Sequence, residues 1–168
     1  ISFGGVPLSE GSLVELRNRI VVVPQEGFLF SGTIRDNIGI ARPAATGAEI
    51  EMAVAMIGAT ERFAALPDGL DTEVLERGSR LSAGERQLVS LARAALVDPA
   101  VLIMDEATSN LDPGTEAIVE RAMEQLMQHR TVIVVAHRLS TVEKADRIGV
   151  VDHGRLNEIG PPAELAAR

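Results

Sequence analysis

The chain has 168 residues, 46% of them apolar, and carries 24 acids against 16 bases for a net charge of −8. That length supports one domain with a real core, and the apolar share excludes a disordered chain. The acidic balance argues against nucleic acid as a partner, because neutralising phosphates needs clustered Lys and Arg. With four Phe, no Trp and no Tyr, base-stacking platforms are scarce as well. Cysteine is absent, so the chain offers no disulfide framework, thiolate metal site or Cys nucleophile, which fits a reducing compartment. No apolar run approaches the roughly 20 residues that span a bilayer, and no signal peptide is visible. The opening ISFGG reads as the middle of something longer, so further sequence is expected upstream.

In chain order, the first strand-like run is 21–23. The segment from 32 to about 80 lacks strand runs and is read as an inserted helical subdomain. Its main helix is predicted over 49–66, with Ile50, Ala53, Val54 and Ile57 at helical spacing. A second helix is predicted over 85–96 on Leu88, Leu91, Ala92 and Ala95, then a strand over 101–104. A helix over 114–128 carries Ile118, Ala122, Gln125 and Leu126 on one stripe. A strand at 132–136, a short helix and a strand at 148–151 complete the alternation. The last three strands are continuously apolar, as expected of strands covered on both faces, and the alternation predicts an α/β fold with a parallel sheet. Ser82 with Glu85, and Ser140 with Glu143, match the capping-box pattern. Asp112 before Pro113 suits an N-cap followed by proline at the first helical position.

The chemistry starts at VLIMDEATSNLD, residues 101–112. Asp105 and Glu106 end a predicted parallel strand, and in open α/β sheets ligands bind at that edge. Adjacent strand residues alternate sides, so the two acids can do different work. One can hold Mg²⁺, which prefers hard oxygen ligands; the other can orient or deprotonate an attacking water. A strand running into an acidic loop is the plainer alternative, and this stretch alone does not exclude it. Upstream lies LSAGERQ, residues 81–87. There Ser82 and Gly84 stand at a helix start, where unclaimed N–H groups and the positive end of the dipole favour an anion such as phosphate. An ordinary capped helix is the alternative.

Together, LSAGERQ and VLIMDEATSNLD resemble the signature motif and Walker B segment of ABC-transporter ATPases. VVVPQ, ending in Gln25, resembles the Q-loop; SNLD, ending in Asp112, the D-loop; TVIVVAHRLS, with His137, the switch strand and H-loop. GFLFSGTIRDNI (27–38) and TEVLERG (72–78) resemble stretches of exporter-type members. The resemblance covers essentially the whole chain. It implies a partial P-loop NTPase domain of the ABC ATPase type: 1–31 as the end of the N-terminal core lobe with the Q-loop, 32–85 as the helical subdomain ending in the signature motif, and 86–168 as the core lobe with Walker B, D-loop and H-loop.

The same resemblance implies the roles. Asp105 supports the Mg²⁺ of Mg-ATP, and Glu106 is the general base or positions the attacking water. His137 contacts the γ-phosphate. Gln25 touches Mg²⁺ or the water and senses the membrane domain. Ser82, Ala83, Gly84 and Glu85 form the tip that grips ATP bound to the opposite subunit, and Asp112 crosses the dimer interface. The implied partners are a second nucleotide-binding domain and a transmembrane domain fused upstream, at the cytoplasmic face of the cell membrane. A soluble non-transport ABC ATPase and a non-catalytic dimerisation module are the alternatives. The exporter-like stretches and the few basic residues speak against the first, and Glu106 with His137 against the second.

Three departures stand out. The P-loop pattern G-x-x-x-x-G-K-[ST] is absent, and the one lysine, Lys144, lies elsewhere. A C-terminal part of a longer ATPase explains this better than a degenerate relative, because Gln25, Asp105, Glu106 and His137 are all in place. Alone, this chain is expected to be inactive and poorly soluble, with apolar surface open on strands such as 132–136. Ala83 replaces the more usual glycine, adding a methyl where backbone approaches phosphate. Glu85 stands where Gln is frequent; its charge suits a helix start but lies near an anion, and Arg86 is expected to offset it.

Overall fold

The structure, a computed structural model, describes residues 1–25, 27–74, 80–105, 111, 113–136 and 139–166. The chain forms two compact units, Ile1–Val134 and Val135–Arg168.

The first unit opens with an antiparallel pair, β1 (Ser2–Phe3) and β2 (Val6–Pro7). Helix α1 (Leu13–Arg19) then runs directly into β3 (Ile20–Val23). Two two-residue strands, β4 (Gly32–Thr33) and β5 (Glu73–Val74), pair antiparallel and bracket α2 (Ile34–Gly39), α3 (Gly47–Met56) and α4 (Thr60–Ala64). The long helix α5 (Ala83–Val97) leads to β6 (Val101–Asp105), α6 (Pro113–Met127) and β7 (Thr131–Val135).

The sheet order is β3-β6-β7. β3 and β6 are parallel, in register from Ile20 opposite Val101 to Val23 opposite Met104. The Thr131 N–H donates to the Ala100 carbonyl at 3.2 Å, so β6 and β7 set out from the same edge. The sheet is covered on one face only. Burial alternates along β7, and Val22 and Ile133 are 60% and 53% exposed. Continuous apolar runs predict cover on both faces in the longer ATPase; in this chain alone every second side chain of β7 meets water, the open apolar surface expected along 132–136.

In the helical region, local chemistry sets the boundaries. Thr33 with Asp36 and Thr46 with Glu49 form reciprocal capping boxes that start α2 and α3. The bond from the Thr33 N–H holds the Asp36 carboxyl below its ordinary range, and the Thr46 N–H does the same for Glu49. The single helix predicted over 49–66 is in fact two. Gly58 adopts φ +66° after Ile57, and a left-handed residue ends a helix by turning the chain out of the ladder. Phe63 on α4 then packs into a core with Ile34, Ile38, Val54, Ile57 and Leu88. Helix α5 is buried along most of its length, against α2, α3, α6 and β3. It stops at Asp98, itself left-handed, whose carboxylate Arg130 holds at 2.6 Å.

The second unit contains α7 (Leu139–Glu143), β8 (Ile148–Asp152), β9 (Arg155–Gly160) and α8 (Pro162–Leu165). β8 corrects an expectation. The run 148–151 was placed in the parallel sheet, but it pairs antiparallel with β9, a strand the alternation had not included. Between them His153 and Gly154 both adopt positive φ, the geometry of a two-residue hairpin turn. Val151 is 68% exposed, so this strand too lacks cover on both faces. Helix α7 begins at Leu139, and the Ser140 side chain of the predicted capping box lies outside what is described.

Candidate functional site

Two clusters of predicted site residues lie within the described part of the chain. The first is the C-terminal edge of the sheet. Because Val23 stands opposite Met104, β3 and β6 leave the sheet side by side. Asp105 is the last residue of β6, and Gln25 follows β3 two residues on. The parallel register therefore puts a carboxylate and a carboxamide at one edge, with Asp105 half-buried and Gln25 exposed. Glu106, Asp112 and His137 lie outside the described residues, as do Glu76 and Arg77 of the 72–78 stretch.

The donor set at this edge suits Mg²⁺. Among the described residues no group of three or more His, Cys, Asp or Glu forms a closed metal cage. Mg²⁺ does not need one, since it keeps several waters and binds through one or two carboxylates together with phosphates.

The second cluster is the start of α5. Ser82 is its N-cap: the Ser82 Oγ accepts from the Glu85 N–H at 3.2 Å, and the Glu85 carboxylate accepts from the Ser82 N–H at 2.7 Å. That box claims two donors. The Ala83 and Gly84 N–H groups still have no acceptor within the helix ladder, so the tip presents two polarised donors at the positive end of the dipole.

Gly84 has a structural reason to be glycine. A Cβ there would lie 1.9 Å from the Thr115 Cγ2 of α6, so only a bare backbone fits where α5 and α6 meet. The half-buried Ala83 is accommodated.

Glu85 faces inward. Its second oxygen pairs with Arg62 of α4 at 3.0 Å, and its side chain is 8% exposed. The cation beside it is thus Arg62, distant in sequence, and not the expected Arg86. Arg86 donates instead to the Leu81 carbonyl at 2.6 Å.

The chain after Gln25 is fastened to α5 by contacts that spacing alone did not reveal. A Cβ on Gly27 would meet Ser90 Oγ at 1.9 Å, so this residue lies directly on the helix. Arg93, also on α5, donates to the Phe28 carbonyl at 2.6 Å, the Asn37 carbonyl at 2.7 Å and Asn37 Oδ1 at 2.8 Å. Burial lowers the Arg93 pKa. Asn37 is fully buried and also bonds the Phe30 N–H, the Phe30 carbonyl and the Thr33 carbonyl. A polar Asn inside the capped T-x-x-D-N segment was the one sequence signal for this network.

Residues 1–109 match the family model described as ABC transporter. The chain belongs to the ABC transporter family. This ABC chain is 48% identical, over its full length, to the uncharacterized ABC transporter ATP-binding protein YknV of Bacillus subtilis, of which it covers 28%. It is 47% identical over 97% of its length to a multidrug efflux ATP-binding/permease protein of Mycobacterium bovis, and covers 14% of that protein. Among solved structures it resembles a bacterial Atm1-family ABC exporter with ATP bound. The TM-score is 0.85 and the identity 41%, over 97% of this chain and 28% of that one. The ABC chain therefore has the P-loop NTPase fold of the ABC ATPases and spans well under a third of these relatives.

Proposed function

We propose that this chain is the ATP-binding part of an ABC exporter and that, in the full-length protein, it hydrolyses ATP in a head-to-tail dimer to drive transport. The observation that carries this reading is the likeness, along 97% of the chain, to an exporter with ATP bound. The site geometry supports it. The sheet edge offers Asp105 and Gln25 at one place, and the start of α5 offers N–H donors at another.

In this reading the two clusters belong to two different pockets of the dimer. Asp105, with Gln25 beside it, holds Mg²⁺, which supplies charge neutralisation on the phosphates. Glu106 takes the proton of the attacking water or orients it, and His137 holds the γ-phosphate. Across the interface, Ser82 and the Ala83 and Gly84 N–H groups of the partner grip the same triphosphate, with Asp112 between the subunits. Phosphoryl transfer depends mainly on positioning and charge stabilisation, so a site assembled from two halves can switch on by closing.

The domain boundaries follow the same reading: a core-lobe end at 1–31, a helical subdomain at 32–85 and a core lobe at 86–168. No described helix is long and apolar enough to cross a membrane. We assign that task to a transmembrane domain on the same polypeptide, as the ATP-binding/permease relatives suggest, with this chain at the cytoplasmic face.

The test is Glu106→Gln in the full-length transporter. ATP binding should persist while turnover falls at least about a hundredfold, the scale expected for loss of a general base. Unchanged turnover removes Glu106 from that role.

A further inference from the structure

We propose that Arg62 is a positioning residue for the signature tip: it pairs with Glu85, turns that carboxylate inward and cancels its charge where a triphosphate is to bind. This rests on the reading of the α5 start as the part that grips ATP.

The reason lies in a conflict at that tip. An acid at the third helical position stabilises the helix start, because it caps a free N–H and opposes the dipole. An anionic ligand seeks the same place for the same reasons. A bare carboxylate there would repel it, and the repulsion is strong at contact range away from bulk water.

The structure resolves the conflict. One Glu85 oxygen accepts from the Ser82 N–H at 2.7 Å, and the other meets an Arg62 Nη at 3.0 Å. The carboxylate is spent on both sides and buried. The backbone that carries Arg62 is held in place: its neighbour Phe63 is fully buried, and the Phe63 N–H donates to the Ala59 carbonyl at 3.1 Å. Helix α4 thus delivers a cation to a point that no residue of α5 serves. Arg86, the nearer cation in sequence, is committed to the Leu81 carbonyl.

The experiment compares Arg62→Met, Glu85→Gln, the double variant and Ser82→Ala in the full-length transporter, reading KM for ATP and kcat at low and high salt. Arg62→Met should raise KM about tenfold and change kcat less, since ground-state binding is what the stray charge opposes. The defect should shrink in high salt, which screens the carboxylate. The double variant should recover most of the loss, because Gln keeps the bond to the Ser82 N–H without the charge. A double variant as impaired as Arg62→Met, or a defect indifferent to salt, would reduce Arg62 to packing and overturn the proposal.

Should Arg62→Met not fold, Arg62→Lys takes its place; it keeps the charge and should hold KM within about threefold. A tenfold rise in Arg62→Lys would likewise sink the idea. Ser82→Ala separates the two levels. If it leaves both constants untouched, the tip does not grip ATP and the underlying reading falls. If it impairs binding while the Arg62 variants do not, only the present inference falls.

Discussion

In the helical region from Gly32 to Val97, a side chain as large as Phe63 is 1% exposed, whereas on the sheet Val22 and Ile133 stand more than half in water. The first region is finished by its own residues. Three of its helices, α2, α3 and α5, start on capping boxes at Thr33, Thr46 and Ser82, and the half-buried Arg93 donates to the Asn37 side chain. The second region has one face packed against α5 and α6, where Val23, Leu102 and Met104 are buried, and one face of apolar side chains open to solvent. The buried core of this chain is thus concentrated in the helical region, and its open apolar surface on the sheet. The helical region packs around α5 and its start, while the sheet presents the edge proposed to be catalytic.

Three substitutions probe this contrast between core and open face. The largest effect belongs to Phe63→Ala, which empties a filled site in the helical core and should cost about 3–5 kcal/mol in chemical denaturation. A loss near zero would mean that this region is not the stable half. Next comes Arg93→Met. It leaves the Phe28 carbonyl and the Asn37 side chain without their charged donor, at about 2–4 kcal/mol, and should loosen the segment after Gln25 in hydrogen exchange. Protection unchanged around residues 27–37 would show that the network does not hold that segment. The smallest effect is expected from Ile133→Thr on the open face. Stability should shift by no more than about 0.5 kcal/mol, while solubility rises as the apolar patch shrinks. A loss as large as that of Phe63→Ala would mean that this face is already packed.

Much of this arrangement was legible in the sequence where physical signals are local. The S-x-x-E box at Ser82 and Glu85 fixed the start of α5, and it formed as read. The run before Asp105 marked β6, and its parallel pairing with β3 follows the α/β alternation. The T-x-x-D and T-x-x-E boxes at Thr33 and Thr46 are equally local signals. Other features had no local signal. Strands β4 and β5 are two residues each, too short to show any period. Whether an apolar run is covered on one face or two depends on what lies against it: the open face of β7 is the one expected of this chain alone, whereas β8 reads as more buried than it is. The break at Gly58 lay in plain view, but the apolar period ran across it. The Arg62–Glu85 pair joins residues on separate helices, and charge spacing along the chain pointed to Arg86 instead.

At the candidate site, the fold gathers those of the proposed residues that are described into two clusters. Gln25 and Asp105 share an edge only because β3 and β6 are neighbours in register. Gln25 is linked to α5 through Gly27, two residues on, which lies against Ser90. Movement around Gln25 therefore bears directly on the helix whose tip is proposed to grip nucleotide.

Mixed dimers of the full-length transporter test this most directly, with Glu106→Gln and Ser82→Arg placed either in the same subunit or in opposite subunits. If each pocket takes its edge from one subunit and its tip from the other, variants in opposite subunits spoil the same pocket and leave one intact. ATP hydrolysis then survives, whereas both changes in one subunit abolish it. The reverse pattern, with activity kept only when both changes sit in one subunit, would contradict the composite pocket.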